Sequence, residues 1–141
     1  MIDIKARANR LVRFYKTRNP FEMIKGMNVI LVYYPLEGVR GFYQYFQRNN
    51  IIYIDENLSE NEQIMVCAHE LGHMILHKNS NALFMDTRTH FVTTKYENEA
   101  NTFAAELLIP DSIILDNPGM TKSQIARLSG YNEKIMEFKK I

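Results

Sequence analysis

The segment from Ser59 to His77 constrains this chain more than any other, because it fixes a helix, its buried stripe and its polar face together. Ser59 with Glu62 three residues on is the pattern of a capping box, in which side chain and backbone satisfy each other's free donors. Ile64, Ala68, Leu71 and Ile75 then recur at helical spacing. They predict a helix from about Glu60 to His77 with one apolar side. His69, Glu70 and His73 lie roughly opposite that stripe, where a helix can face a cleft. Residues four apart stack one turn above each other, so both imidazoles point the same way. Gly72 inside this helix costs about 1 kcal/mol relative to alanine. Its small size leaves room for a neighbouring backbone or a substrate to come close.

His69 to His73 spell HELGH, an HExxH pattern. Two imidazoles on one helical face can share a zinc ion, with the intervening carboxylate beside the open coordination position. Zinc acidifies water, and Glu70 can take its proton as the water attacks a peptide carbonyl. A third protein ligand is needed to leave one position free. Glu97 is the residue chosen. It opens a second helical stretch, and Asn101 follows four residues later on the same side. Asn101 can accept a hydrogen bond from the far nitrogen of a zinc-bound histidine and so fix its tautomer. Glu99 competes for the ligand role but lies about 200° around the helix from Glu97, so the two cannot readily face one ion. His77 and His90 are alternative ligands. His77 also reads as a residue complementing the dipole at a helix end, and His90 as a loop residue. For a developing oxyanion, His90, Tyr96, Tyr43 and Tyr45 are available by type, and nothing in the sequence selects among them.

The 141 residues suggest one domain, spanning 1–141, long enough for its own hydrophobic core. Net charge is +1 with histidine neutral, which argues against strong non-specific attraction to nucleic acid or membrane. The single cysteine, Cys67, cannot form an internal disulfide and sits in an apolar helical pattern, so it reads as a small buried hydrophobe. With no long apolar run at the charged start of the chain, a soluble cytoplasmic protein is expected.

Around the central helix, Ala8, Leu11, Val12 and Tyr15 predict a first amphipathic helix, its basic side carrying Arg7, Arg10, Arg13 and Lys16. That stripe reads as a solvated face. Asn19 and Pro20 start a second helix that stops at Gly26. Strands are expected at Asn28–Tyr34, Gly38–Phe46 and Ile51–Ile54, with Asn49 and Asn50 as the turn before the last. The aromatics Phe42, Tyr43, Tyr45 and Phe46 fit sheet packing, and an edge strand here can hold an extended peptide by strand addition. Residues 79–94 read as loop, Tyr96–Leu108 as a helix ended by Pro110. A turn at Asn117, Pro118 and Gly119 precedes helices starting near Thr121 and after Asn132. The order is α+β: helices stacked on a small antiparallel sheet.

With HELGH and the run Tyr96-Glu-Asn-Glu-Ala-Asn-Thr-Phe-Ala-Ala-Glu-Leu-Leu-Ile-Pro110, the chain resembles the ImmA/IrrE family of metallopeptidases. Asn19-Pro20-Phe21 before a strand, and Gly41 beside an aromatic, are also similar. The resemblance covers about Ala8 to Phe138. It implies a zincin-like fold, one zinc held by His69, His73 and an acidic residue of the second helix, and Glu70 as catalytic base. The spacing of Glu97 to Asn101 is similar to a glutamate–aspartate pair of thermolysin-like peptidases, with asparagine replacing the aspartate. The resemblance further implies a protein substrate: a helix-turn-helix repressor of a prophage or mobile element. The alternative is a zinc-binding module that acts on such a repressor by contact, without cutting. A third reading, a scavenging protease, predicts cleavage of casein. Residues 121–129 and 132–140 faintly resemble a helix-turn-helix, but direct binding of nucleic acid is not expected.

Overall fold

The computed structural model describes residues 3–78 and 90–140, and only the backbone of residues 90–93. Helix α1 (Ile4–Tyr15) is capped by Asp3, and α2 (Pro20–Gly26) by Asn19 with Pro20 in its first turn. Strands β1 (Ile30–Tyr34), β2 (Gly41–Phe46) and β3 (Asn49–Asp55) follow. Helix α3 (Glu60–His77) has the bounds its pattern predicts, and both halves of the Ser59–Glu62 capping box are made. Helix α4 (His90–Leu108), α5 (Asp111–Leu115) and α6 (Lys122–Ser129) lead to a 3₁₀ segment at Glu133–Glu137.

The class is α+β, with two departures from the expected sheet. The order is β1-β3-β2, with β2–β3 antiparallel but β1–β3 parallel. β2, which follows β1 in sequence, therefore lies two places from it in the sheet, and β3 is central. The hairpin turn is also displaced. Gln47 and Arg48 both have positive φ (48° and 66°), and Asn49 and Asn50 belong to β3. The register explains it: Tyr43 faces Ile52, both buried. A one-residue slip would turn both side chains to solvent. The Tyr43 hydroxyl then donates to Asn50 Oδ1 at 2.6 Å, which fixes Asn50 inside the strand.

Tyr43, Ile52 and Ile54 cover α3, whose Cys67, Ala68 and Leu71 are fully buried. Gly41 permits this approach. A Cβ there would stand 2.5 Å from Val66 Cγ1 and 2.6 Å from the Tyr53 carbonyl oxygen. Helix α4 lies along α3 and carries Phe103, Leu107 and the following Ile109 into the same core, while α1 rests on its other side.

Helix α4 begins at His90 rather than Tyr96. Residues 91–94, with valine and two threonines, have weak intrinsic helix preference. The helix is propagated backward from its packed half, which local propensity does not register. The rest of the expected loop, residues 79–89, lies outside the described residues. The final expected helix is a 3₁₀ turn whose Ile135 and Met136 are buried in the core.

A charged knot anchors the end of the chain. Lys139 Nζ donates to Glu106 Oε1 at 2.6 Å and Asp111 Oδ1 at 2.7 Å, and the Lys140 amide donates to Glu106 Oε2 at 2.8 Å. Lys5 of α1 joins through Asp111 at 2.9 Å. Among the described residues, every buried side-chain polar atom has a partner.

Candidate metal centre

One helical turn separates His69 from His73, and their rings meet edge to face with centroids 4.8 Å apart. Both present Nε2 to the same point. There Glu97 reaches across from α4, with Oε2 3.0 Å from His69 Nε2 and Oε1 2.9 Å from His73 Nε2. The three residues bring one nitrogen or oxygen each to within 4.8 Å of one another. Two imidazole nitrogens and a carboxylate oxygen suit zinc in its open, three-ligand form. The two imidazoles hold Glu97 far below the ordinary carboxylate range. For His69, burial works against the protonated form. The Glu97 hydrogen bond, with Glu70 and Asn101, outweighs it and raises the ring's pKa.

The far nitrogens are also engaged. His69 Nδ1 lies 2.7 Å from Asn101 Oδ1. This is the contact expected from the four-residue spacing of Glu97 and Asn101. Because an amide oxygen only accepts, Nδ1 carries a proton, and a neutral His69 ring would then offer the Nε2 lone pair to a metal. The donor set therefore fits a metal ion on the chemistry of its own atoms.

Glu70 is nearly buried between the two histidines on one side and β2 on the other. Burial raises its pKa, and His69 and His73 partly offset this. The Tyr43 backbone of β2 also favours the ionised carboxyl, without cancelling the effect of burial. Cys67, one turn back, is free and buried, and burial pushes its thiol up. It packs as the small hydrophobe that the sequence suggested.

Other expected residues fall elsewhere. Glu99 points away from the three-residue cluster, with Oε1 3.0 Å from His77 Nε2. His77 stands in the last turn of α3, as expected, but it is buried there and its Nδ1 lies 2.9 Å from His73 Nδ1. Sequence reasoning missed this contact. The signal was present, since His77 stands four residues after His73 just as His73 stands four after His69. Of the oxyanion donors considered, Tyr43 spends its hydroxyl on Asn50, and burial raises its pKa to about 12. Tyr45 lies under the Lys78 ammonium, 4.6 Å from the ring centre. Tyr96 packs on the His77 ring. The side chain of His90 lies outside the described residues.

The cluster lies in a cleft of about 1150 Å³. Phe42 and Tyr43 of β2 form one wall and Tyr131, Ile135 and Phe138 the other. That second wall, from the C-terminal segment, had no signal in the sequence. The volume exceeds the range of roughly 300–1,000 Å³ usual for small-molecule pockets, which suits a segment of polypeptide.

Residues 24–138 match the profile of the IrrE N-terminal-like domain, peptidase family M78. The chain belongs to the ImmA/IrrE family of metallopeptidases. A protein of Bacillus phage phi105, named uncharacterized immunity region protein 2, is 42% identical over 139 residues, covering 96% of this chain and 88% of the relative. Metallopeptidase ImmA of Bacillus subtilis is 28% identical over 142 aligned positions, covering 96% of this chain and 83% of that protein. As an ImmA/IrrE member the chain has the α+β fold expected of it, and membership implies a metal. The His69, His73 and Glu97 cluster is a donor group able to hold one. No helix among the described residues is long and apolar enough to cross a membrane.

Proposed function

We propose that this protein is a zinc-dependent endopeptidase of the cytoplasm that cleaves a helix-turn-helix repressor of a prophage or mobile element. In this reading residues 1–141 work as one domain, His69, His73 and Glu97 hold one zinc ion, and Glu70 is the catalytic base. The observation that carries it is the convergence of both Nε2 atoms on the two Glu97 oxygens, with Glu70 buried beside them. The phage relative is named for an immunity region, which favours a regulatory substrate over the broad substrates of a scavenging protease.

A zinc ion in this donor set would supply Lewis acidity, lowering the pKa of the attacking water and polarising the scissile carbonyl. Glu70 takes a proton from that water as it adds to the carbonyl carbon, and returns it to the amide nitrogen as the C–N bond breaks. Burial suits Glu70 to both steps, because raising its pKa makes it a stronger acceptor of the water's proton while leaving it able to return that proton to the leaving nitrogen. Asn101 keeps the His69 lone pair on Nε2. The cleft walls on β2 and the C-terminal segment hold the chain being cut and keep bulk water from it.

Glu70→Gln tests the reading. The variant should bind one zinc per chain and cut a helix-turn-helix repressor that wild type cleaves about 10²–10⁴-fold more slowly. If it relieves repression as well as wild type, the protein acts by contact, and the catalytic reading is lost.

A further inference from the structure

We infer that His77 is a positioning residue for the metal centre: with Glu99 it forms a relay, Glu99–His77–His73, that locks His73 in the tautomer whose free lone pair is on Nε2. The inference rests on the proposed ligand role of His73 and extends it.

The argument is one of donors and acceptors. His77 Nε2 lies 3.0 Å from Glu99 Oε1 and His77 Nδ1 lies 2.9 Å from His73 Nδ1. A carboxylate only accepts, so His77 Nε2 carries a proton. Two ring nitrogens 2.9 Å apart share one proton between them. If it belonged to His77 Nδ1, a neutral His73 would accept at Nδ1 and keep its own proton on Nε2, which faces Glu97 Oε1 at 2.9 Å and which a bound metal would have to displace. The arrangement compatible with a ligating His73 is the other one. His73 donates from Nδ1 to the lone pair of a neutral His77, which in turn donates from Nε2 to Glu99. The carboxylate at the end of the chain sets the direction of both bonds.

Placement supports the role. His77 meets His73 at the nitrogen remote from Glu97, so it is not itself a ligand of the same point. Its ring is 6% exposed as a residue and is backed by Tyr96, with centroids 4.4 Å apart. Solvent therefore has little access to the shared proton. The result is a division of labour on α4. Asn101 orients His69, Glu97 faces both rings, and Glu99, on the other side of the helix, orients His73 through an intermediary.

The test uses full-length wild type, His77→Gln, His77→Phe, Glu99→Ala and His69→Ala, with two readouts that need no turnover. Zinc affinity is measured by competition with a chelator. Cobalt-loaded protein is examined by NMR for the exchangeable, shifted Nδ1 protons of its histidine ligands. Wild type should show one such proton from each of His69 and His73. His77→Phe and Glu99→Ala should bind zinc about tenfold or more weakly and lose the His73 signal to solvent exchange. Glutamine can accept with its oxygen and donate with its nitrogen, so His77→Gln should restore both readouts. Glu99 is partly exposed, so its alanine variant keeps the test valid if His77→Phe does not fold. Unchanged affinity and an unchanged His73 signal in folded Glu99→Ala would overturn the relay alone. Failure of wild type to bind zinc, or undiminished binding by His69→Ala, would overturn the metal centre and the relay with it.

Discussion

Gly72 and Phe103 set the distance between the two helices that build the site: a Cβ added at Gly72 would stand 3.1 Å from Phe103 Cβ, and 3.2 Å from the Ala100 carbonyl oxygen. Phe103 is fully buried and the carbonyl is backbone, so neither yields cheaply. Gly72→Ala gains about 1 kcal/mol of helix propensity against an overpacking cost of roughly 1–3 kcal/mol. The net expectation is a loss of up to about 2 kcal/mol. Zinc affinity should also fall, since α4 carries Glu97. Chemical denaturation and chelator competition check this, and a stabilised variant with unchanged affinity would show that the helices part freely.

Glu97 and Glu99 should separate by stoichiometry. Glu97→Ala removes the only carboxylate facing both Nε2 atoms among the described residues. Metal analysis after purification should find well below one zinc per chain. Glu99→Ala should keep one zinc at saturation, bound more weakly. Full occupancy in Glu97→Ala with loss in Glu99→Ala would exchange their roles.

Lys139→Ala should be among the most destabilising single changes at the C-terminal end. Lys139 and Glu106 side chains are each 1% exposed and paired at 2.6 Å. Removing one partner of such a pair typically costs about 3–5 kcal/mol, because the other charge stays buried. The double variant Glu106→Leu with Lys139→Met should recover most of the loss. Urea titration of the three proteins checks both points. A double variant as unstable as the single would mean the knot contributes more than charge compensation.

Acid should loosen the same knot. Hydrogen bonds from Lys139 and then Lys5 lower the pKa of Asp111 in the folded chain. The unfolded chain thus binds the Asp111 proton more readily, and stability rises with pH through this range. The contribution is complete above the ordinary aspartate value and disappears as pH falls through the lower folded value. Melting temperature followed from pH 6 downward should fall less steeply in Asp111→Asn than in wild type. Parallel curves would remove Asp111 from the account.

Local sequence sufficed where one segment carries its own instructions. The Ser59–Glu62 box, the apolar stripe and the i, i+4 histidines depend only on helix geometry, so α3 and the direction of His69 and His73 were legible. Glu97 and Asn101 were legible for the same reason, as a pair on one turn of a later helix. Tertiary packing decided what no single segment encodes. The parallel β1–β3 pairing, the turn at Gln47–Arg48 and the early start of α4 follow from which side chains the core accepts, overriding local turn and helix preferences. The His73–His77–Glu99 chain and the wall formed by Tyr131 and Phe138 need α4 and the C-terminal segment docked beside α3. A hydrogen bond between distant segments exists only once burial has set the spacing between them.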